Sequence, residues 1–167
     1  MSPIAALTEI GTTMKWTLHL RGNDFSVYEF VSETGANFTC KYNKGQGSLR
    51  LRFEEQRAVY NINEQHVTNR KVPLLNVYGS EVGLINKNLW RENTGTVTFD
   101  ESLEEIQYAI DSHNYIVEIT KADTTYCCDL NAVPHPAREQ HFMPVIIAFS
   151  WLQTLQPRIL KSAIAQQ

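Results

Sequence analysis

Cysteine is scarce in this sequence. The chain has three cysteines, Cys40, Cys127 and Cys128, and two of them are adjacent. Neighbouring residues of a β-strand point to opposite faces, so Cys127 and Cys128 are badly placed to bond with each other. An odd and partly adjacent set argues against the disulfide framework of a small secreted domain. We therefore expect a reducing compartment, the cytoplasm.

Long hydrophobic runs are also lacking. The most apolar segment extends from Met143 to Leu155, and Gln156 and Pro157 follow it. Spanning a bilayer takes about 20 apolar residues, so we predict that this segment belongs to a core and that no transmembrane segment is present. Residues 1–7 lack the basic and apolar regions of a signal peptide.

Familiar catalytic motifs are missing as well. Gly45 and Gly47 resemble the start of a dinucleotide-binding loop, but Arg50 occupies the position of its third glycine. The sequence contains no P-loop, no Gly-x-Ser-x-Gly elbow and no His-Glu-x-x-His helix. These absences favour a binding protein over an enzyme.

What is present is the composition of one globular domain. Of the 167 residues, 43% are hydrophobic and 20% are charged, so we predict a single domain over 1–167. The net charge of -3 gives no reason to expect nucleic acid as a partner. Residues 1–91 carry eleven Lys and Arg against eight Asp and Glu, whereas residues 92–167 carry four against ten. This bias predicts a basic face if the fold separates the halves; ordinary surface scatter is the alternative.

Short segments that alternate apolar and polar residues recur along the chain. Met14 to Arg21 and Ser48 to Glu54 show the period of two that indicates a strand with one buried face. Turn signals between such segments favour a barrel or sandwich. Ser102 to Ile110 is open to two interpretations, a strand or a short helix with Ser102 as N-cap and Glu105 at the capping-box position. The predicted strands cover 14–21, 25–31, 38–42, 48–54, 58–62, 74–78, 81–85, 95–99, 115–120 and 124–130.

The C-terminal apolar segment breaks this pattern. Val145 to Leu155 leaves no polar stripe on a helical wheel, and a helix that is apolar all round must be buried all round. A sheet buries such a helix only by wrapping around it. We therefore predict a mainly β protein: a closed antiparallel β-barrel around a central helix at 143–156, preceded by an N-terminal segment at 1–13. Trp16, Trp90 and Trp151 are predicted to be core or barrel-rim aromatics.

Four parts of the chain together resemble a known superfamily. Asn76–Lys87 is similar to a strand, a glycine turn and a second strand of that superfamily, and Gly95–Phe99, Tyr115–Thr120 and Pro144–Leu155 follow at matching spacing. The chain resembles the tubby C-terminal-like superfamily, specifically the LURP-one-related proteins, which are related in fold to the phospholipid scramblases. The resemblance implies a barrel of about twelve strands around the terminal hydrophobic helix.

The resemblance also implies a kind of function. Tubby proteins bind phosphoinositides through a Lys-x-Arg pair on a strand, and the comparable pair here is Arg50 and Arg52, with Lys41 and Lys44 one turn earlier. Residues i and i+2 share a strand face, so both guanidinium groups can grip one phosphate. We predict a non-enzymatic module, without a cofactor, that binds an anionic membrane lipid such as a phosphoinositide, or a protein. Its location would be cytoplasmic and peripheral to the membrane. The alternative is an ordinary outward row of polar side chains.

The rival class is a small metal-dependent or thiol enzyme. Cys127, Cys128, His135 and His141, with Asp129 beside them, are weak candidates for a zinc site, since adjacent cysteines lack the usual ligand spacing. In the thiol version, Cys128 is a nucleophile served by His135 or His141. A third option is a barrel that encloses a small apolar ligand. A threaded helix would fill that lumen, so burial of the helix separates this option from the first.

Overall fold

A computed structural model describes residues 12–21, 26–63, 69–134 and 140–155. They form one closed barrel and one helix, α1, which confirms the predicted fold class. The described strands and the helix have these bounds: β1 Thr12–Arg21, β2 Val27–Ser32, β3 Asn37–Asn43, β4 Ser48–Phe53, β5 Gln56–Asn61, β6 Lys71–Leu75, β7 Glu81–Lys87, β8 Thr94–Phe99, β9 Ser102–Asp111, β10 Ile116–Lys121, β11 Thr124–Asp129 and α1 Phe142–Thr154.

Each strand pairs with its neighbours in sequence, and β1 closes the barrel against β11. The consecutive pairs are antiparallel, whereas β1 and β11 are parallel, with Trp16 opposite Cys128. Strands that alternate in direction leave the first and the eleventh pointing the same way, so closure requires one parallel pair. The predicted all-antiparallel barrel of about twelve strands is therefore corrected to a mixed barrel of eleven within the described ranges.

Alternating side chains of the strands fill the interior, because successive residues of a strand face opposite sides. In β1, Met14, Trp16 and Leu18 are buried, as their spacing predicts. Ser102–Ile110, for which the sequence allows a strand or a short helix, is part of strand β9. This strand pairs with β8 on one side and with β10 on the other. The other inward residues of the barrel include Tyr28, Phe30, Phe38, Cys40, Leu49, Leu51, Phe53, Val72, Leu74, Ile85, Val97, Ile106, Tyr108, Val117, Ile119, Tyr126 and Cys128.

Helix α1 lies inside this barrel. Its residues from Pro144 to Gln153 are all buried, which only enclosure on every side allows. The ring of Phe149 contacts aromatic rings from four strands, at centroid distances of 5.6 Å to Trp16, 4.9 Å to Phe30, 5.1 Å to Phe38 and 6.0 Å to Tyr126. The helix therefore occupies the lumen where the third option would place an apolar ligand.

The polar end of α1 is tied to the barrel wall by one amide. The Nε2 of Gln153 donates hydrogen bonds to the backbone oxygens of Ile119 and Thr124, both at 3.0 Å. Lys121 Nζ donates to the backbone oxygen of Gln153 at 3.3 Å. A buried amide needs such partners, because burying it unpaired costs about 1–3 kcal/mol.

Several predicted boundaries change in the structure. The helix predicted at 143–156 covers Phe142–Thr154. The strand predicted at Leu74–Tyr78 is wrong at its end, since β6 stops at Leu75 and the side chain of Asn76 turns the chain by accepting the backbone N–H groups of Tyr78 and Ser80. The N-terminal segment predicted at 1–13 lies outside the described residues except for 12 and 13, which belong to β1. Within the described ranges, no helix is long and apolar enough to cross a membrane.

Candidate anion-binding cleft

Three of the four predicted cationic residues line one cleft at an end of the barrel. Lys41 on β3 lies directly opposite Arg50 on β4, and Lys44 lies in the turn between these strands. Directly opposite residues of an antiparallel pair project from the same face, so Lys41 and Arg50 both stand on the outer surface. The cleft has a volume of about 560 Å³ and is open to solvent. Its described lining is Ser26, Tyr28, Lys41, Tyr42, Asn43, Lys44, Gly45, Gln46, Ser48, Arg50, Gln140 and His141.

Arg52, the fourth predicted residue, does not line this cleft. It shares the outer face of β4 with Arg50 but is displaced along the strand, opposite Thr39 on β3 and Arg57 on β5. Its Nε donates a hydrogen bond to the backbone oxygen of Glu54 at 3.4 Å. Because a strand rises about 3.3 Å per residue, sharing a face leaves positions 50 and 52 about 7 Å apart along the strand. Of the four predicted residues, Lys41, Lys44 and Arg50 therefore line the cleft, whereas Arg52 lies outside it.

The inner wall of the cleft is built by Tyr28 and His141. The Tyr28 hydroxyl lies 2.5 Å from His141 Nδ1, and the two rings meet edge to face with centroids 5.3 Å apart. Burial, followed by the charge of Lys44, lowers the pKa of His141. Burial also raises the pKa of Tyr28 well above its ordinary value. Both shifts favour the neutral forms of the two side chains, and the Tyr28 hydroxyl and His141 Nδ1 share one hydrogen bond whose donor depends on the imidazole tautomer.

The charged side chains in the described lining of the cleft are all cationic. None of its described lining residues is Asp or Glu. The ion pairs found within the described ranges are Arg21–Glu29 and Lys121–Glu104, neither of which involves a cleft residue. The Nζ of Lys44 donates to Oε1 of Gln140 at 3.4 Å, a neutral partner. Ser26, Asn43, Gln46 and Ser48 add polar groups around the three cations, so the arrangement suits an anion with several oxygen atoms.

The proposed metal and thiol chemistry is not assembled in the described part of the chain. Cys128 points into the barrel and is fully buried, whereas Cys127 points outward, because the two are neighbours on β11. Burial raises the pKa of both thiols, and burial likewise raises the pKa of Cys40 to about 12, which disfavours the reactive thiolate. His141 faces Tyr28, and His135 lies outside the described residues. Among the residues described, no three His, Cys, Asp or Glu side chains are grouped to hold a metal ion.

Of the twelve described residues that line the cleft, the predicted cationic group includes only Lys41, Lys44 and Arg50. Tyr28, Gln140 and His141 are far from Lys44 in the sequence, and only the closed barrel with its internal helix brings them together. The sequence suggests His141 only as a metal ligand or a base. No linear pattern marks these residues as neighbours, because their proximity depends on the path of the chain across the barrel end.

No protein-family model matches the chain, and neither a curated protein nor a solved structure is significantly similar to it. The resemblance to tubby-like and LURP-one-related proteins therefore stays a prediction. The class that the coordinates define is a closed mixed β-barrel with a buried C-terminal helix and a cationic cleft at one end.

Proposed function

We propose that this protein is a non-enzymatic module that binds the phosphorylated headgroup of an anionic membrane lipid in the cleft. The observation that supports this proposal is the convergence of Lys41, Lys44 and Arg50 on one concave surface whose described lining contains no acidic side chain. Like charges brought together without counter-ions repel one another, and a bound anion relieves that repulsion.

Each cation has a distinct part in binding. Arg50 presents a planar guanidinium that can donate two parallel hydrogen bonds to one phosphate group. Lys41 and Lys44 act as mobile point charges from the opposite strand and the adjacent turn. The volume of about 560 Å³ falls within the range of small-ligand sites, about 300–1,000 Å³. A headgroup with more than one phosphate would engage all three residues.

Binding without catalysis is the simplest function for this arrangement. The described lining of the cleft contains no carboxylate to act as a base, and Nδ1 of His141, the one imidazole there, is engaged by the Tyr28 hydroxyl. The enzyme alternative would need Cys127 or Cys128 as a thiolate, and burial raises the pKa of both. We therefore favour the binding module over the thiol enzyme.

The test is co-sedimentation with liposomes that contain phosphatidylcholine alone or with a phosphoinositide. We expect Lys44→Glu/Arg50→Glu to lower the fraction bound to phosphoinositide vesicles at least tenfold. The matched control is Arg52→Glu/Arg57→Glu, which makes the same charge change on the same outer face but outside the cleft. Binding should also weaken with salt, since exposed charges are screened within about 8 Å at physiological ionic strength.

Two outcomes would contradict the proposal. Equal losses in the two double variants would mean that net charge, and not the cleft, governs adsorption. No sedimentation of the wild-type protein at low salt would end the lipid hypothesis and leave a protein partner as the ligand to seek.

A further inference from the structure

An exposed apolar loop lies at the rim of the barrel. Leu89 and Trp90 lie in the loop between β7 and β8, and their side chains are 64% and 94% exposed. We infer that this loop, residues 88–93, inserts into the interfacial region of an anionic lipid bilayer. The inference rests on the proposed membrane function and adds to it the surface by which the protein docks.

The exposure of this apolar pair belongs to a loop that polar bonds hold in place. Asn88 Oδ1 accepts the backbone N–H of Trp90 at 2.9 Å, and the backbone N–H of Asn88 donates to the oxygen of Thr94, also at 2.9 Å. The Thr94 hydroxyl donates to the backbone oxygen of Arg91 at 2.8 Å. These bonds fix the backbone without any packing of Leu89 or Trp90. The loop therefore presents two large apolar side chains to solvent on a hydrogen-bonded backbone, as the turn after Asn76 presents Val77 and Tyr78. What distinguishes the loop from that turn is the end of the barrel at which it lies.

The loop lies at the same end of the barrel as the cationic cleft. Consecutive strands alternate in direction, so β3, β7 and β11 run the same way. The turn after β3 holds Lys44, and the loop after β7 holds Trp90. Helix α1, which follows β11, begins at this end too, beside the cleft residue His141. One flat surface laid against this end of the barrel can therefore meet both the cleft and the loop.

The surroundings of Trp90 favour lipid as the covering surface. A groove of about 650 Å³ on the outer face passes beneath the loop, and its lining includes the cations Arg70, Lys87 and Arg91. Glu105 and Glu118, on β9 and β10, also line this groove. Tryptophan concentrates at membrane–water interfaces, and Lys or Arg residues near an anionic surface each contribute about 1 kcal/mol of attraction. Arg91 and Glu92 follow the Leu89–Trp90 tip, so the loop itself is neutral and supplies the apolar part of the contact. The cations that would attract the anionic surface are those of the cleft at the same end of the barrel, Lys41, Lys44 and Arg50. Docking on a protein is the competing outcome of the test.

The three tryptophans make a direct experiment possible. Trp16 and Trp151 are 2% and 4% exposed, so Trp90 is the one whose fluorescence can respond to a new surface. On adding phosphoinositide-containing vesicles, we expect the emission of the wild-type protein to shift to shorter wavelength. We also expect quenching by brominated lipid and protection from acrylamide. Binding of vesicles without any change in Trp90 emission would overturn the inference.

Variants separate this inference from the proposed cleft function. We expect Leu89→Ser/Trp90→Ser to reduce vesicle binding at least tenfold while keeping its affinity for soluble inositol trisphosphate. The matched control is Val77→Ser/Tyr78→Ser, which removes an apolar pair that is 62% and 89% exposed at the opposite end of β7. This control should bind vesicles as the wild type does.

The remaining outcomes are distinguishable. If Leu89→Ser/Trp90→Ser loses binding to both vesicles and inositol trisphosphate, the loop acts through the anion-binding cleft. If this variant binds vesicles as the wild type does, the loop has no part in membrane binding. Either result overturns insertion. Wild-type protein that binds inositol trisphosphate but no vesicles would also overturn insertion, keep the anion site and point to a protein as the cover of the loop. Failure to bind either probe would refute both proposals.

Discussion

Phe149 is the residue whose removal should most damage the barrel. It lies at the middle of α1, is 0% exposed and contacts four aromatic rings from β1, β2, β3 and β11. Deleting a buried Phe side chain costs about 3–5 kcal/mol, because transfer free energy is lost and the rigid surroundings leave a cavity. Domains of this kind are stable by about 5–15 kcal/mol in total. Phe149→Ala should therefore remove at least about a fifth of the free energy of unfolding.

Urea denaturation followed by circular dichroism measures this loss, with Tyr78→Ala as the control. Tyr78 is 89% exposed, and its substitution should change the free energy of unfolding by less than about 0.5 kcal/mol. A double-mutant cycle between Phe149 and Phe38 should show coupling of about 0.5–1.5 kcal/mol. The same cycle with Tyr60, which contacts Phe99 instead, should be additive. A loss below about 1 kcal/mol for Phe149→Ala would refute the placement of the helix inside the barrel.

Two further predictions concern pH and close packing. The pKa of His141 is lower in the folded protein than in the unfolded chain, so the unfolded chain takes up this proton first and stability should fall as the pH drops below about 6.5. Between pH 7 and pH 5, the urea midpoint of His141→Gln should therefore fall less than that of the wild type. Equal changes of the two midpoints would contradict this prediction. Gly95→Ala should lower the thermal midpoint, because the added Cβ would lie 2.5 Å from the backbone oxygen of Asn86 and 2.6 Å from the Tyr108 ring. Gly45→Ala is the control, since the nearest atom to its Cβ would be 3.6 Å away, and it should leave the midpoint nearly unchanged. A similar shift in both variants would argue against the packing at Gly95.

The sequence was sufficient to predict the fold class, because burial imposes a period. Met14, Trp16 and Leu18 alternate with polar residues, and their inward positions follow directly from the pleat. The helix was predicted to within two residues at each end because an apolar run without a polar stripe has only one stable environment. Ser102–Ile110 remained ambiguous, since Ser102 and Glu105 also satisfy a helix cap; pairing with strands on both sides decides for strand, and this pairing is not local.

The candidate site was less predictable, because its residues come together through contacts that are not local in sequence. Lys41 and Arg50 belong to one predicted group, and they lie directly opposite each other on β3 and β4. Arg52 was included because it shares a face with Arg50, but face sharing does not fix the distance to the barrel end. Tyr28 and His141 come together across 113 positions of sequence, a contact that no local pattern encodes.

The closure of β1 on β11 also sets the order in which the chain can assemble. Thr12 pairs with Thr124, so the wall is complete only when two segments more than a hundred residues apart meet. The helix that fills the interior comes later still along the chain. During synthesis the strands would therefore emerge with their aromatic side chains exposed to solvent. The nascent chain would keep this apolar surface, which favours aggregation, until α1 leaves the ribosome and can cover it. Long-range closure of this kind is slow, and we expect a folding rate limited by the capture of the helix by the closing sheet.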